Sequence, residues 1–127
     1  MEELRKTLHR LNENIESGSE LKVHRTIAMA QLVKTLQKED YISVNNNESD
    51  LILKPTRQVI AFFPIYSLAE IIGRRNTNIA RREIPGVATK LLPSITGTII
   101  LTTRTGIMSH HEAIIKNTGG NIIGIAY

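Results

Sequence analysis

Apolar residues at Leu4, Leu8, Leu11 and Ile15 fall on one face of a helix. The pattern stops near Ser17-Gly18, where glycine can take the left-handed conformation that closes a helix. Leu21-Lys22-Val23-His24 alternates with a period of two and predicts a short strand. Thr26 is then placed to cap a second helix with the stripe Met29, Leu32, Val33 and Leu36, ending around Asp40. Strands are predicted from Tyr41 to Val44 and from Leu51 to Leu53. Between them, Asn45-Asn46-Asn47-Glu48 is a polar run that tolerates positive φ and suits a hairpin loop. A last N-terminal strand runs from Gln58 to Phe63, before Pro64.

Ser67 to Ser94 carries the weakest periodicity. It predicts a short helix over Leu68 to Ile72 ended by Gly73, then an arginine-rich loop, Pro85-Gly86 and Pro93. From Thr98 to Thr103 β-branched residues predict a strand leading to a turn at Thr105-Gly106. Ser109-His110-His111-Glu112 is a capping box that opens a short helix with Ala113, Ile114 and Ile115. Asn117-Thr118-Gly119-Gly120 stops it, and Asn121 to Tyr127 closes the chain as a strand. The fold class is α+β in two small sub-domains. Residues 1–66 form two helices on a short antiparallel sheet, and residues 67–127 a mainly β unit with one short helix.

Composition adds the class of protein. At 127 residues, 41% hydrophobic and 22% charged, the chain can pack a core and is too short for a large multi-domain enzyme. The longest apolar stretch, Val59 to Ile72, is interrupted by Pro64, Ser67 and Glu70 and is shorter than the roughly 20 apolar residues that cross a bilayer, so no membrane partner is expected. Cysteine is absent, which removes disulfides, thiolate nucleophiles and thiolate metal sites. The start, Met1-Glu2-Glu3-Leu4-Arg5-Lys6, carries acids and no continuous apolar run, unlike a secretory signal or a transit peptide. Abundant Ile, Thr and Asn beside missing Trp and Cys is a bias of A/T-rich coding, as in organellar genomes. It points to a mitochondrial setting, with the cytoplasm as the alternative.

The net charge of +4 is unevenly spread. Residues 1–50 hold seven Lys/Arg against nine Asp/Glu, a balance of −2, and residues 51–127 hold nine against three, a balance of +6. The C-terminal half therefore suits a polyanion. Arg74, Arg75, Arg81 and Arg82 form two pairs, and guanidinium forks match phosphate oxygens. The plainer reading is a solvated basic loop. Close by in sequence, Leu101 to Ser109 sets the hydroxyls of Thr102, Thr103, Thr105 and Ser109, the guanidinium of Arg104 and Gly106 between a strand end and a helix start. Hydroxyls and backbone N–H groups in such a loop contact phosphates and 2′-hydroxyls without needing a base sequence.

Leu101 to Ala113, then Lys116-Asn117-Thr118-Gly119-Gly120 and the apolar ending Asn121 to Tyr127, resembles the C-terminal signature of the small ribosomal subunit protein eight family. Leu91-Leu92-Pro93-Ser94 and Gly124 resemble its archaeal and eukaryotic branch, and Glu83-Ile84-Pro85 its bacterial branch. The resemblance implies a structural protein of the small ribosomal subunit. It would bind a central-domain stem of small-subunit rRNA directly, support assembly beside neighbouring ribosomal proteins, and take no cofactor or small-molecule substrate. Thr102 and Thr103 match the hydroxyl-bearing motif positions, Gly106 its glycine and Met108 its methionine, a packing residue. Arg104 replaces the motif's second serine, the neutral Asn121 stands where a charged residue often follows the paired glycines, and Asp40 replaces a helix-ending glycine.

Other chemistry is thinly supported. His110 and His111 are helix neighbours about 100° apart, which does not suit one tetrahedral ion. No Asp lies near them in sequence, and Ser109 has its capping role, so no catalytic set is expected. His9 and His24 read as surface or strand residues. Tyr41, Phe62, Phe63 and Tyr66 lie in apolar strand patterns that favour core packing over base stacking. A protein-protein adaptor, which would show an apolar patch, and a non-ribosomal RNA-binding module stand as the other function classes.

Overall fold

The computed structural model describes residues 2–46, 49–56, 59–64, 78–93 and 96–127. The predicted helix over 68–72, Tyr66, Arg74, Arg75 and the Asn47-Glu48 part of the polar hairpin loop lie outside them. In chain order come α1 (Glu2–Glu13), β1 (Leu21–His24), α2 (Ile27–Lys38), β2 (Ile42–Asn46), β3 (Asp50–Pro55), β4 (Phe62–Pro64) and β5 (Asn78–Ile79). A 3₁₀ turn (Arg81–Glu83), α3 (Ile84–Leu91), β6 (Thr98–Thr103), β7 (Gly106–Ser109), α4 (His110–Ile115) and β8 (Gly120–Ala126) follow. The class is α+β, with all strand pairings antiparallel among the described residues.

The N-terminal elements follow the hydrophobic pattern. Leu4, Leu8 and Leu11 of α1 are buried, as are Met29, Leu32, Val33 and Leu36 of α2. Fully burying each such side chain stabilises the fold by about 1.5–3 kcal/mol relative to leaving it exposed. Thr26 Oγ1 accepts the Met29 N–H at 3.1 Å, the predicted cap. The strand order is β1-β3-β2, with Leu21 and Val23 inward and Lys22 and His24 outward. The α2 C-terminus closes with the Tyr41 N–H on Leu36 O and the Asp40 N–H on Gln37 O, both at 3.0 Å. This is a Schellman cap, and it places Asp40 at φ 62, the left-handed position that glycine fills best. The end of α4 repeats it, with Thr118 bonded to Ala113 O, Asn117 to Ile114 O, and Asn117 at φ 55.

One predicted strand belongs elsewhere. Of the stretch predicted from Gln58 to Phe63, Phe62 and Phe63 fall in β4 (Phe62–Pro64), which pairs with β8, not with the N-terminal strands. The second sheet runs β4-β8-β6-β7, with β5 also on β8. Its central strands are buried on both faces. Ile100, Ile123 and Ala126 pack with the α1 and α2 residues, whereas Ile99, Leu101, Ile122 and Ile125 pack with Ile84, Val87 and Leu91 of α3 and Ala113 of α4. Near-continuous apolar runs are what two-sided burial requires. The β6–β8 register shifts at Ile100/Leu101, leaving Ile123 as an extra residue on β8, a β-bulge.

Of the region read as an arginine-rich loop with two proline breakers, the described residues Arg81 to Leu91 form instead a 3₁₀ turn running into α3. Pro85 sits in the first turn, where no N–H is needed, and Glu83 Oε1 accepts the Ala80 N–H at 2.9 Å. Tyr41 and Phe62 are core residues in edge contact at 6.2 Å between centroids. The Tyr41 hydroxyl reaches Thr96 O and Thr98 Oγ1, both at 3.2 Å, tying the α2 end to β6. Phe63 departs from the core reading: it is 40% exposed and lies against Tyr127. His9 is exposed beside Glu13 and His24 beside Asp50. Among the described residues no helix is long and apolar enough to cross a membrane.

His110 is buried, accepts the Ile99 N–H on Nδ1 at 2.9 Å, and stacks on His111 at 3.9 Å. Burial, reinforced by the neighbouring His111, lowers its pKa to about 4. The unfolded chain then binds a proton that the folded chain refuses, so stability is full above about pH 6.5 and falls as the pH drops toward 4. Urea unfolding at pH 7 and pH 4.5 is expected to differ by an extra 2–3 kcal/mol, roughly, from this residue, a difference that His110→Gln removes. At the α2 cap, Asp40→Gly relieves the left-handed strain and should raise stability by about 1 kcal/mol in the same assay; no gain would mean that the aspartate is unstrained there.

Candidate nucleic-acid interface

The Thr102 to Ser109 segment is not a loop but a hairpin. β6 and β7 pair from Ile100↔Ser109 to Thr103↔Gly106, leaving Arg104-Thr105 as a two-residue turn. The positive φ that closes it falls on Gly106, at 128°. Thr103 shapes the turn from within: its hydroxyl donates to Gly106 O at 2.9 Å and accepts the Thr105 N–H at 3.3 Å. Its Oγ1 also lies 3.3 Å from the Thr105 hydroxyl. Arg104 and Thr105 are exposed at the tip, and Thr102 and Thr103 are half-buried.

The hairpin is braced from the N-terminal elements. Gln31 Oε1 accepts the Ile107 N–H at 3.2 Å, and the Thr35 hydroxyl reaches Ile107 O at 3.3 Å. A β-carbon on Gly106 would meet the Gln31 amide, so the glycine also lets α2 approach. Met108 is buried under the turn, in the packing role its type suggests. Ser109 is buried as well, and its hydroxyl accepts the Glu112 N–H at 3.2 Å. That group serves the α4 start and faces no groove. Glu112 lies 3.2 Å from Lys116.

On one flank of the turn lies a cleft of about 420 Å³. Thr102, Thr103 and Arg104 form one wall, Gly119, Gly120 and Asn121 the floor, and Asn78, Ile79 and Ala80 the other wall. The paired glycines allow this meeting. A β-carbon on Gly119 would strike Ile79 O, and one on Gly120 would strike Thr102 O, so only hydrogen atoms fit between the strands there. Arg81 follows Ala80, with its Nε buried and without a hydrogen-bond partner; Arg82 is exposed on the same 3₁₀ turn. No carboxylate lines the cleft among the described residues.

Four residues singled out in the sequence, Thr102, Thr103, Arg104 and Asn121, thus share one cleft. Thr105 lines a groove on the other flank of the turn, Gly106 closes the turn, and Ser109 is withdrawn into the core. Asn78 to Ala80, Gly119 and Gly120 line the same cleft, although in the sequence they stand out only as a helix stop and a linker; the Gly-Gly pair was the available signal. The cleft offers hydroxyl, amide and guanidinium groups beside close-packed backbone, groups of the kind that hydrogen-bond to phosphate and ribose oxygens.

The family model for Ribosomal protein S8 matches residues 3–127. Two curated relatives, small ribosomal subunit protein uS8A and small ribosomal subunit protein uS8B of Schizosaccharomyces pombe, are each 47% identical to the chain over 51 residues. Each alignment covers 39% of this chain and 39% of the relative's own length. The match of the family model runs through both helices of the N-terminal part, the hairpin and the Gly-Gly strand, and on that extent the chain belongs to the ribosomal protein S8 family.

Proposed function

We propose that the chain is a structural protein of the small ribosomal subunit that binds the central domain of small-subunit rRNA directly, beside neighbouring ribosomal proteins, and supports its assembly. The observation that carries this reading is the acid-free cleft in which Thr102, Thr103 and Arg104 meet Gly119 to Asn121. In a cleft of this kind phosphate contacts supply affinity, and the exposed Arg104 and Arg82 are set to make them. The half-buried Arg81, next to the cleft residue Ala80 in the chain, joins the proposed contacts through its guanidinium. Thr103 holds the turn in shape, so that Thr105 and Gly106 present hydroxyl and backbone to an RNA groove. Arg74 and Arg75 extend the same basic segment in sequence and join the proposed contacts. The reading has a compartment as well: the Ile-, Thr- and Asn-rich composition favours a mitochondrial ribosome over a cytoplasmic one.

Filter binding or calorimetry against a transcript of the central-domain stem over a salt series tests the contacts. Arg81→Ala with Arg104→Ala should weaken binding and flatten the dependence of log K on log salt by about one unit for each phosphate no longer neutralised. An unchanged slope removes both arginines from the interface. Thr103→Val keeps the side-chain shape and deletes the hydroxyl that organises the turn, so RNA affinity should fall by about 1 kcal/mol or more while the thermal midpoint stays nearly level. Equal affinity would show that the turn is misassigned. Sedimentation of the protein with the small subunit after a high-salt wash, from purified mitochondria and from cytosol, decides the compartment.

A further inference from the structure

The opposite flank of the β6–β7 turn is also basic. Between α2 and the hairpin runs a groove of about 230 Å³ whose cations are Lys34 and Lys38 of α2 and Lys116 beyond α4, with Glu112 its one carboxylate among the described residues. Lys34 and Lys38 are spaced i, i+4 on one helix face, and both are exposed. Among the described residues no carboxylate pairs with either, whereas Glu112 pairs with Lys116. Lys34 also lines a second groove of about 200 Å³ that holds Arg25 and Asn46, so its side chain stands between the two depressions. Thr105 opens into the first groove, and Thr103 and Arg104 into the cleft on the other side.

Arg25, Lys34 and Lys38 of this band lie on the half of the chain whose net charge is −2, because charge is segregated there. Residues Ile27–Lys38 contain two lysines and no acid. The acids cluster on α1 and the turn after it, at Glu39-Asp40 beyond the α2 end, and around Asp50. A balance counted over half the sequence hides this face. Amine and amide groups in the first groove and the guanidinium of Arg25 in the second give the face a positive charge that suits the sugar-phosphate backbone.

We propose that the hairpin tip is a wedge with a separate stretch of RNA backbone on each flank: the cleft of Thr102, Arg104 and Asn121 on one side, and a second site formed by Lys34, Lys38 and Lys116 on the other. The Gln31 and Thr35 hydrogen bonds to Ile107 set the spacing between the two sites, since they fix α2 to the hairpin. The second site rests on the RNA-binding function proposed above and extends it to the N-terminal elements.

The test uses the full chain, a transcript of the central-domain stem with its flanking helices, and a salt series. Lys34→Gln with Lys38→Gln should weaken binding roughly tenfold and lower the salt slope by about two, additively with Arg81→Ala and Arg104→Ala. Both lysines are exposed, so the thermal midpoint should not move, and Lys34→Arg with Lys38→Arg should retain the slope. A wild-type slope in K34Q/K38Q overturns the second site while leaving the first standing. Wild-type protein that fails to bind the transcript at all overturns the function itself. Binding of a polyglutamate peptide that is lost in K34Q/K38Q, with RNA binding unchanged, overturns the site in favour of an acidic protein partner.

Discussion

Everything in this molecule hangs on the two strands β6 and β8 being buried from both sides. Ile100 and Ile123 point into the layer of α1 and α2, and Ile99, Leu101 and Ile122 into the layer of α3 and α4. One sheet is therefore the wall of two cores, and neither the N-terminal nor the C-terminal part owns it. The extra residue at Ile123 fits two registers together within one strand, and β4 crosses from the N-terminal sequence to add itself to the β8 edge. A loss of packing on one face is transmitted directly to the other, because close-packed layers have no slack in which to absorb it.

The same arrangement explains why the hairpin can present polar groups rigidly. Its base is locked in the sheet, its flank is hydrogen-bonded to Gln31 and Thr35 of α2, and its tip is closed by the Thr103 hydroxyl. Recognition surfaces placed on braced elements lose little conformational entropy on binding. The glycines complete the geometry by absence of side chains. Gly119 and Gly120 let β8 lie against Ile79 and Thr102, and the cleft exists because those backbones touch.

Much of the local structure was legible because it depends on near neighbours. The Leu4-Leu8-Leu11 stripe, the Thr26 cap, the alternation of Leu21 to His24 and the β-branched run Thr98 to Thr103 each need only a helical or strand period to declare themselves. The left-handed position at Asp40 was legible only through the family resemblance, which puts a helix-ending glycine there; the Schellman cap in the structure is its physical reason. Where the signal was ambiguous the chain kept its meaning hidden. Pro85 breaks a helix in its interior and starts one in its first turn, and Glu83 reaching back to Ala80 N–H selects the second outcome.

For the site, the sequence by itself determined the residue types: hydroxyls and a guanidinium at a strand end, a glycine to close the turn, paired glycines ahead of the last strand, and an excess of cations in the C-terminal half. Only the tertiary structure decided which of them share a cleft, that Ser109 turns inward to cap α4, that β4 belongs to the second sheet, and that the lysines of α2 stand beside the hairpin. The physical reason is range. Periodicity, caps and turns are set by interactions over a few residues, whereas the meeting of Gln31 with Ile107 or Gly120 with Thr102 is settled by how two-sided burial folds distant segments onto one sheet.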